Sequence, residues 1–333
     1  MESIETEKKE VRTERFRELG LIVFIVVILV LIQMRNREFL TLLNIGNLLT
    51  NTAILSILSV GMMMVLLTGG IDLSIGASMA FTGMVTAMTV KANPNIPVIL
   101  LILESVGIGA CIGLVVGTLI ARFSILPIIA SLGLMNIMRG LTYVVSGGAW
   151  VSAYQMPAHF KAFATGKVWV VNNLVVIAVL IYILFYFFIN FTRSGRRIYA
   201  VGSSPEAARV VGLPVKRITL MVYILMGALA GLTGILWVAK FASAQGDTAV
   251  GYEMNVIASC VLGGVSVSGG RGKVFGLLLG VILFGILANA LPLINVSSFW
   301  QQAIQGFVII FAIITNVMIK RNNDRAVLHR RVI

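Results

Sequence analysis

Residues 96–120 read IPVILLILESVGIGACIGLVVGTLI. Glu104 is the one charged side chain in these 25 positions, and Gly109, Gly113 and Gly117 recur every four residues. A helix of that length rises about 37 Å, more than the roughly 30 Å hydrocarbon thickness of a bilayer. A buried strand would be far shorter, and a helix on a soluble domain would carry a polar face. The stretch therefore predicts a membrane-crossing helix. Its glycines predict a smooth stripe against which a second helix packs closely.

The rest of the chain repeats the pattern. Hydrophobic residues make up 58% of 333 positions and charged residues 12%, about half the usual charged fraction of soluble domains. Mean hydropathy is +0.98. Ten apolar spans are expected: Leu19–Met34, Ile45–Leu67, Ser74–Val90, Ile96–Ile120, Ile125–Val145, Trp169–Phe191, Ile218–Phe241, Asn255–Leu262, Val274–Leu293 and Phe299–Ile319. The eighth is too short to cross as a plain helix; it either starts earlier, near Gly251, or is broken. The runs are continuous rather than alternating, which excludes a barrel. The expected class is an all-α integral membrane protein of about ten transmembrane helices. Further glycine pairs, Gly227/Gly231 and Gly276/Gly280, predict a tightly packed bundle.

Basic residues orient it. With ten spans both termini share one side, and placing that side in the cytoplasm gives its segments 19 Lys and Arg against 6 on the other. Basic loops stay cytoplasmic. The expected organisation is a cytoplasmic segment 1–18, a transmembrane domain 19–319 that includes an inner loop at 193–217, and a cytoplasmic tail 320–333. The first span follows Lys8, Lys9, Arg12, Arg15 and Arg17, which are mixed with six glutamates, and continues into Met34-Arg35-Asn36-Arg37. No small-residue cleavage site follows it, so it reads as an uncleaved anchor. A net charge of +13 spread over short inner loops implies anionic lipid as neighbour and no nucleic acid. Trp150, Trp169, Trp237 and Trp300 fall near the expected outer interface, as an aromatic belt would.

Several chemistries are excluded. No Gly-x-x-x-x-Gly-Lys-Ser/Thr occurs, so no phosphate-cradling loop is encoded; Ser268-Gly269-Gly270-Arg271-Gly272-Lys273 lacks the spacing. Cys111 and Cys260 lie within spans and act as small apolar residues. His159 and His329 stand apart from other ligands, so no metal site is expected. No convergent nucleophile, acid–base pair or metal cluster marks an enzyme.

Polar groups within spans are costly in lipid and are the first candidates for a solute path. Glu104 and Arg139 either pair with each other or line an aqueous route. Asp72, in Gly70-Ile71-Asp72-Leu73-Ser74, stands where a carboxylate can cap the next helix. Asn51, Ser74, Asn136 and Asn255 complete the set of candidate path residues. Gly69-Gly70-Ile71-Asp72-Leu73-Ser74 and Gly263-Gly264-Val265-Ser266-Val267-Ser268 look alike, each placing a double glycine between two spans. An internal repeat is left open, because the topology puts both on the cytoplasmic side.

The inner loop runs Arg193-Ser194-Gly195-Arg196-Arg197-Ile198-Tyr199-Ala200-Val201-Gly202-Ser203-Ser204-Pro205-Glu206-Ala207-Ala208-Arg209-Val210-Val211-Gly212-Leu213-Pro214. Ser204 is suited to the N-cap, Pro205 to the first helical position and Glu206 to the dipole. Gly212 stops the helix and Pro214 prevents its resumption. The expected product is a two-turn helix outside the membrane, delimited well enough to serve as a docking knob.

With this loop, Gly69 through Gly76 and Leu262 through Ser266, the chain resembles the permeases of ribose/galactose-type ABC sugar importers, the second carbohydrate-uptake class. The resemblance implies a cobalamin-importer-like (type II) permease fold. It implies pairing with a second copy or a sister permease, two ABC ATPase subunits below that bind the ATP, and a periplasmic or lipid-anchored binding protein above. By position, Gly202, Ser203, Ser204, Pro205, Glu206, Ala207, Ala208, Arg209 and Gly212 would form the coupling element that enters the ATPase. The implied solute is a pentose, hexose, deoxysugar or autoinducer-2. Nucleoside and branched-chain amino-acid permeases of the same fold are the nearest alternatives, with an ion-coupled secondary carrier behind them. The implied location is the bacterial inner membrane.

Overall fold

The structure is a computed structural model of the chain. It describes residues 2–297 and scattered positions between 300 and 314, with side chains from residue 18 onward. Among the described residues the helices are α1 (Glu2–Arg35), α2 (Leu42–Leu67), α3 (Ile75–Ala92), α4 (Val98–Ala121), α5 (Pro127–Ser146), α6 (Ala158–Thr165), α7 (Asn173–Phe191), α8 (Arg193–Ser203), α9 (Pro205–Val210), α10 (Val215–Phe241), α11 (Tyr252–Leu262) and α12 (Val274–Leu293). Two short strands, β1 (Lys167–Val168) and β2 (Val171–Asn172), pair antiparallel.

Seven of the ten expected spans are long and apolar enough to cross a membrane: α2, α4, α5, α7, α10, α12 and, in α1, Glu18–Arg35. The third expected span is α3, which falls short of that standard for a physical reason. It is enclosed by α10, α5 and α4, so protein rather than lipid faces its hydroxyls. Thr82 and Thr86 are fully buried and donate to the carbonyls of Ser78 and Thr82, at 2.9 Å each. The eighth is α11, which starts at Tyr252, directly after the left-handed Gly251, and has 11 residues. The tenth, Phe299–Ile319, falls largely outside the described residues.

At the centre stands α2, buried at every position from Thr52 to Leu67 and flanked by α10, α12, α7 and α11. The expected glycine stripes are helix seams. Gly109 and Gly113 of α4 meet Gly227, Gly231 and the Tyr223 carbonyl of α10 so closely that any Cβ would strike backbone. Ser105 Oγ donates across the same seam to the Gly231 carbonyl at 2.7 Å. Gly276 and Gly280 of α12 receive Gly263 and the Ser259 carbonyl in the same manner. Without water exclusion to drive association, such contact is what holds helices together in lipid.

Two irregular segments run inside the bundle. α11 has 11 residues, so it spans about 16 Å, and it ends where Gly263 packs on the first turn of α12. Its other end is therefore near half the depth of a bilayer core of roughly 30 Å. Gly76, in the first turn of α3, lies against Glu253 and the Ala249 carbonyl. So α3 also begins near mid-depth. Residues 70–74 climb to it from the end of α2, and 242–251 descend to it from the end of α10. Non-helical backbone at that depth is tolerated only where protein buries it or where it lines a polar cavity.

The segment 146–168 is partly ordered. It holds a 3-10 turn at Ala153–Gln155 and α6, which buries Phe160 and Ala164. Val151 and Ala244 exchange backbone hydrogen bonds of 3.1 and 3.0 Å, tying this segment to the descending one.

Candidate functional site

Between α7 and α10 the chain leaves the bundle as two helices, α8 and α9. Thr192 caps α8 by accepting from the Gly195 amide at 3.0 Å. Ser204 caps α9, accepting from the Ala207 amide at 3.2 Å, with Pro205 first in the helix. Gly212, at φ +77°, ends it, and the Leu213 amide folds back onto the Ala208 carbonyl at 2.9 Å. Ala208 is buried and seats the helix, while Val210 and Val211 are 87% and 73% exposed. Two bare aliphatic side chains thus stand side by side at the end of a short capped helix. Sequence reading placed the helix but passed over these valines, whose signal is an apolar pair inside an otherwise polar loop. It also missed α8.

The other end of α8 is wedged against both look-alike segments. A Cβ at Gly202 would run into the Leu67 carbonyl and the Gly270 amide. Those two groups bond to each other at 2.9 Å. Gly269 lies on Gly202 and Gly69, Gly270 on Ser203, and Tyr199 Oη donates to the Gly272 carbonyl at 2.7 Å. The loop around Gly202, the end of α2 with Gly69, and the glycine turn 269–272 that follows the Leu262–Ser266 motif thus meet at one backbone junction, which no local pattern announces.

The expected path residues divide. Asp72 and Ser74 are together and buried: Asp72 Oδ1 accepts from the Ser74 amide at 2.9 Å and its hydroxyl at 2.6 Å. The carboxylate therefore holds the residue before α3 rather than the amides of α3 itself, a correction to the capping expected. Tyr223 lies beside Gly70, fully buried, with its Oη unpartnered. Glu104 and Arg139 do not pair. Glu104 accepts from Thr89 Oγ1 at 2.8 Å, while Arg139 Nη1 donates to the carbonyls of Gly246 and Thr248 at 2.9 and 2.7 Å. Arg139 thereby satisfies non-helical backbone of the descending segment. Asn51 accepts from Lys240 Nζ at 2.8 Å. Asn136 is exposed on α5 and bonds only within its own helix, to the Leu132 carbonyl at 3.1 Å. Asn255 is half-buried, two residues after Glu253.

Glu253 was not singled out from sequence, where it is one acid at the head of a short apolar run. In the fold it is buried against the first turn of α3, where a carboxylate complements the helix dipole. The mid-depth centre thus gathers two helix starts, the Arg139 guanidinium and the Glu253 carboxylate around unwound backbone. Among the described residues no group of His, Cys, Asp and Glu is arranged for a metal ion.

Helix starts meeting inside a multi-pass bundle, joined to a capped helix beyond it, define a membrane transport subunit. Residues 44–313 match the family described as "Branched-chain amino acid transport system / permease component", and the chain belongs to that family. It is a permease component, not an enzyme. Among its relatives, the ribose import permease protein of Escherichia coli K12 is 35% identical over 89% of this chain and 92% of its own. The ribose import permease protein of Bacillus subtilis is 36% identical over 94% and 97%. The L-arabinose ABC transporter permease protein of Azospirillum brasilense is 33% identical over 92% and 89%. No solved structure matches the chain.

Proposed function

We propose that the chain is the membrane-spanning subunit of an ATP-driven importer for a monosaccharide-sized sugar. In this reading it lies in the bacterial inner membrane with about ten transmembrane helices in a cobalamin-importer-like arrangement and both termini in the cytoplasm. It pairs with a second copy or a sister permease, receives its solute from a binding protein outside, and takes its power from ABC ATPase subunits inside. The boundaries expected from sequence stand with it: segment 1–18, transmembrane domain 19–319 with the loop 193–217, and tail 320–333. The family description names branched-chain amino acids, but relatives aligned over nearly the whole chain import ribose, galactose and arabinose. That favours a sugar.

The observation that carries the mechanism is α9. Its exposed valines fit a groove on an ATPase, and Gly202 links it by direct backbone contact to Leu67 and Gly270. Closure of the ATPases on ATP would press α9, and the junction would carry that displacement to the ends of α2 and α12. One of the segments that reach the Arg139 and Glu253 centre, residues 70–74, starts from the end of α2. Neutral sugars suit that centre, since carbonyls, a guanidinium and a carboxylate offer acceptors and donors without demanding a charged solute.

The test is V210D/V211D. Placing two charges on the docking face is expected to leave the permease inserted and monodisperse, to abolish co-purification of the ATPase, and to lower sugar uptake at least tenfold. Uptake at the wild-type rate with the ATPase still bound would refute the docking assignment.

A further inference from the structure

A pocket of about 270 Å³ opens at the start of α8, lined by Arg193, Arg196, Arg197, Ala200 and Leu213. All three guanidinium groups are exposed, and no carboxylate of the described residues pairs with them. Arg196 reaches only the Phe191 carbonyl, at 3.5 Å. The nearest acid in sequence is Glu206, on α9. This arrangement opposes itself. Like charges three and four residues apart on a helix repel, and cations at a helix start face the positive end of its dipole. An anion in the pocket would relieve both effects.

The setting says which anion. Phe191 ends α7, two residues before Arg193, and Leu213 lies two residues before α10 begins at Val215. The pocket is thus framed by the point where the chain leaves the apolar bundle and the point where it re-enters. Tyr186, Phe187 and Phe191 form an exposed aromatic cluster on the last turns of α7, with ring centroids 5.6–6.0 Å apart. Such clusters sit at headgroup level. On its opposite face α8 buries Gly195, Ile198 and Val201. The arginines therefore occupy the membrane-side end of α8, away from the valines of α9.

We propose that this pocket binds the phosphate of an anionic phospholipid from the inner leaflet, fixing the start of the helix whose far end forms the backbone junction. The site rests on the orientation proposed above, which puts residues 192–214 at the cytoplasmic surface. Each arginine near an anionic headgroup is worth roughly fivefold in binding, so three supply on the order of a hundredfold.

The experiment uses the full-length permease in nanodiscs and native mass spectrometry. Wild type is expected to retain phosphatidylglycerol in preference to phosphatidylcholine from an equal mixture, less so as salt rises. R193Q/R196Q/R197Q should lose that preference by on the order of a hundredfold. R193K/R196K/R197K, which keeps the charge, should retain most of it and shows that the loss is not misfolding. Equal retention of phosphatidylglycerol by the wild type and the glutamine variant would overturn the proposal. So would a glutamine variant that keeps the lipid but releases the ATPase, because the arginines would then be a protein contact. Orientation is read separately, by labelling R197C in a C111A/C260A background with a membrane-impermeant maleimide. Labelling of intact cells from outside would sink the topology, while lipid binding in nanodiscs would be unaffected by that result.

Discussion

The two look-alike segments end their helices in the same way and then diverge. At the end of α2 the Gly69 amide bonds to Leu66 and the Gly70 amide to Val65; at the end of α11 the Gly264 amide bonds to Val261 and the Val265 amide to Cys260. Gly69 and Gly264 are both left-handed, at φ +76° and +81°, so both ends are Schellman caps. A side-chain oxygen then accepts from the amide two residues on: Asp72 for Ser74, and Ser266 for Ser268 at 3.2 Å. The first acceptor is a buried carboxylate, the second a hydroxyl near the surface. After it, the second segment adds the glycine turn 269–272, which rests on Gly202, while the first climbs straight into α3. One local design serves twice, as a buried support for the start of α3 and as a contact plate for the loop that holds α8 and α9. Both lie at the same end of the bundle, joined through Leu67 and Gly270.

The largest expected effect breaks the contact plate. Gly202→Ala places a Cβ into the Leu67 carbonyl and the Gly270 amide, and neither is the movable end of a side chain. Coupled uptake should fall at least tenfold while the ATPase still co-purifies, measured as sugar-stimulated ATP hydrolysis in the reconstituted complex. Gly46→Ala, where nothing lies within 4 Å, is the matched control and should transport normally. Normal coupling in Gly202→Ala would mean that motion reaches the bundle by another route.

How much of this was readable in advance follows from the range of each interaction. The spans were legible because lipid demands long apolar runs, and α9 was legible because caps are written within a few residues. The glycine stripes announced seams, though not that α4 would choose α10. Arg139 was legible as costly, but its partners are backbone carbonyls, which leave no residue type to find. Gly202, Leu67 and Gly270 lie far apart in sequence, and only the fold makes their contact visible. The enclosed α3 was found as a span too, although its buried hydroxyls leave it less apolar than the seven helices that meet the length-and-hydropathy standard.

A middle-sized effect tests the buried support. Asp72→Ala removes the acceptor of two hydrogen bonds inside the bundle and should destabilise the permease by about 1–3 kcal/mol. Asp72→Asn keeps an oxygen in the same place and should cost much less, since no charge remains to be buried. Thermal unfolding of the purified permease reads the difference. If Asp72 only holds the turn, Asp72→Asn will also transport normally. A stable Asp72→Asn that fails to transport would give the carboxylate a part in the solute path.

The smallest effect completes the pair. Ser266→Ala removes one neutral hydrogen bond near the surface, where water can replace the lost oxygen, so the change should stay within about 0.5 kcal/mol. The same thermal unfolding assay decides it, run beside Asp72→Ala. A loss at Ser266 equal to that at Asp72 would mean that the two segments bear load alike, and that burial does not separate them. A near-silent Ser266→Ala beside a damaging Asp72→Ala would assign the second segment's importance to its glycine turn. The hydroxyl would then shape the approach to Gly202 without holding it, and coupling would depend on backbone against backbone.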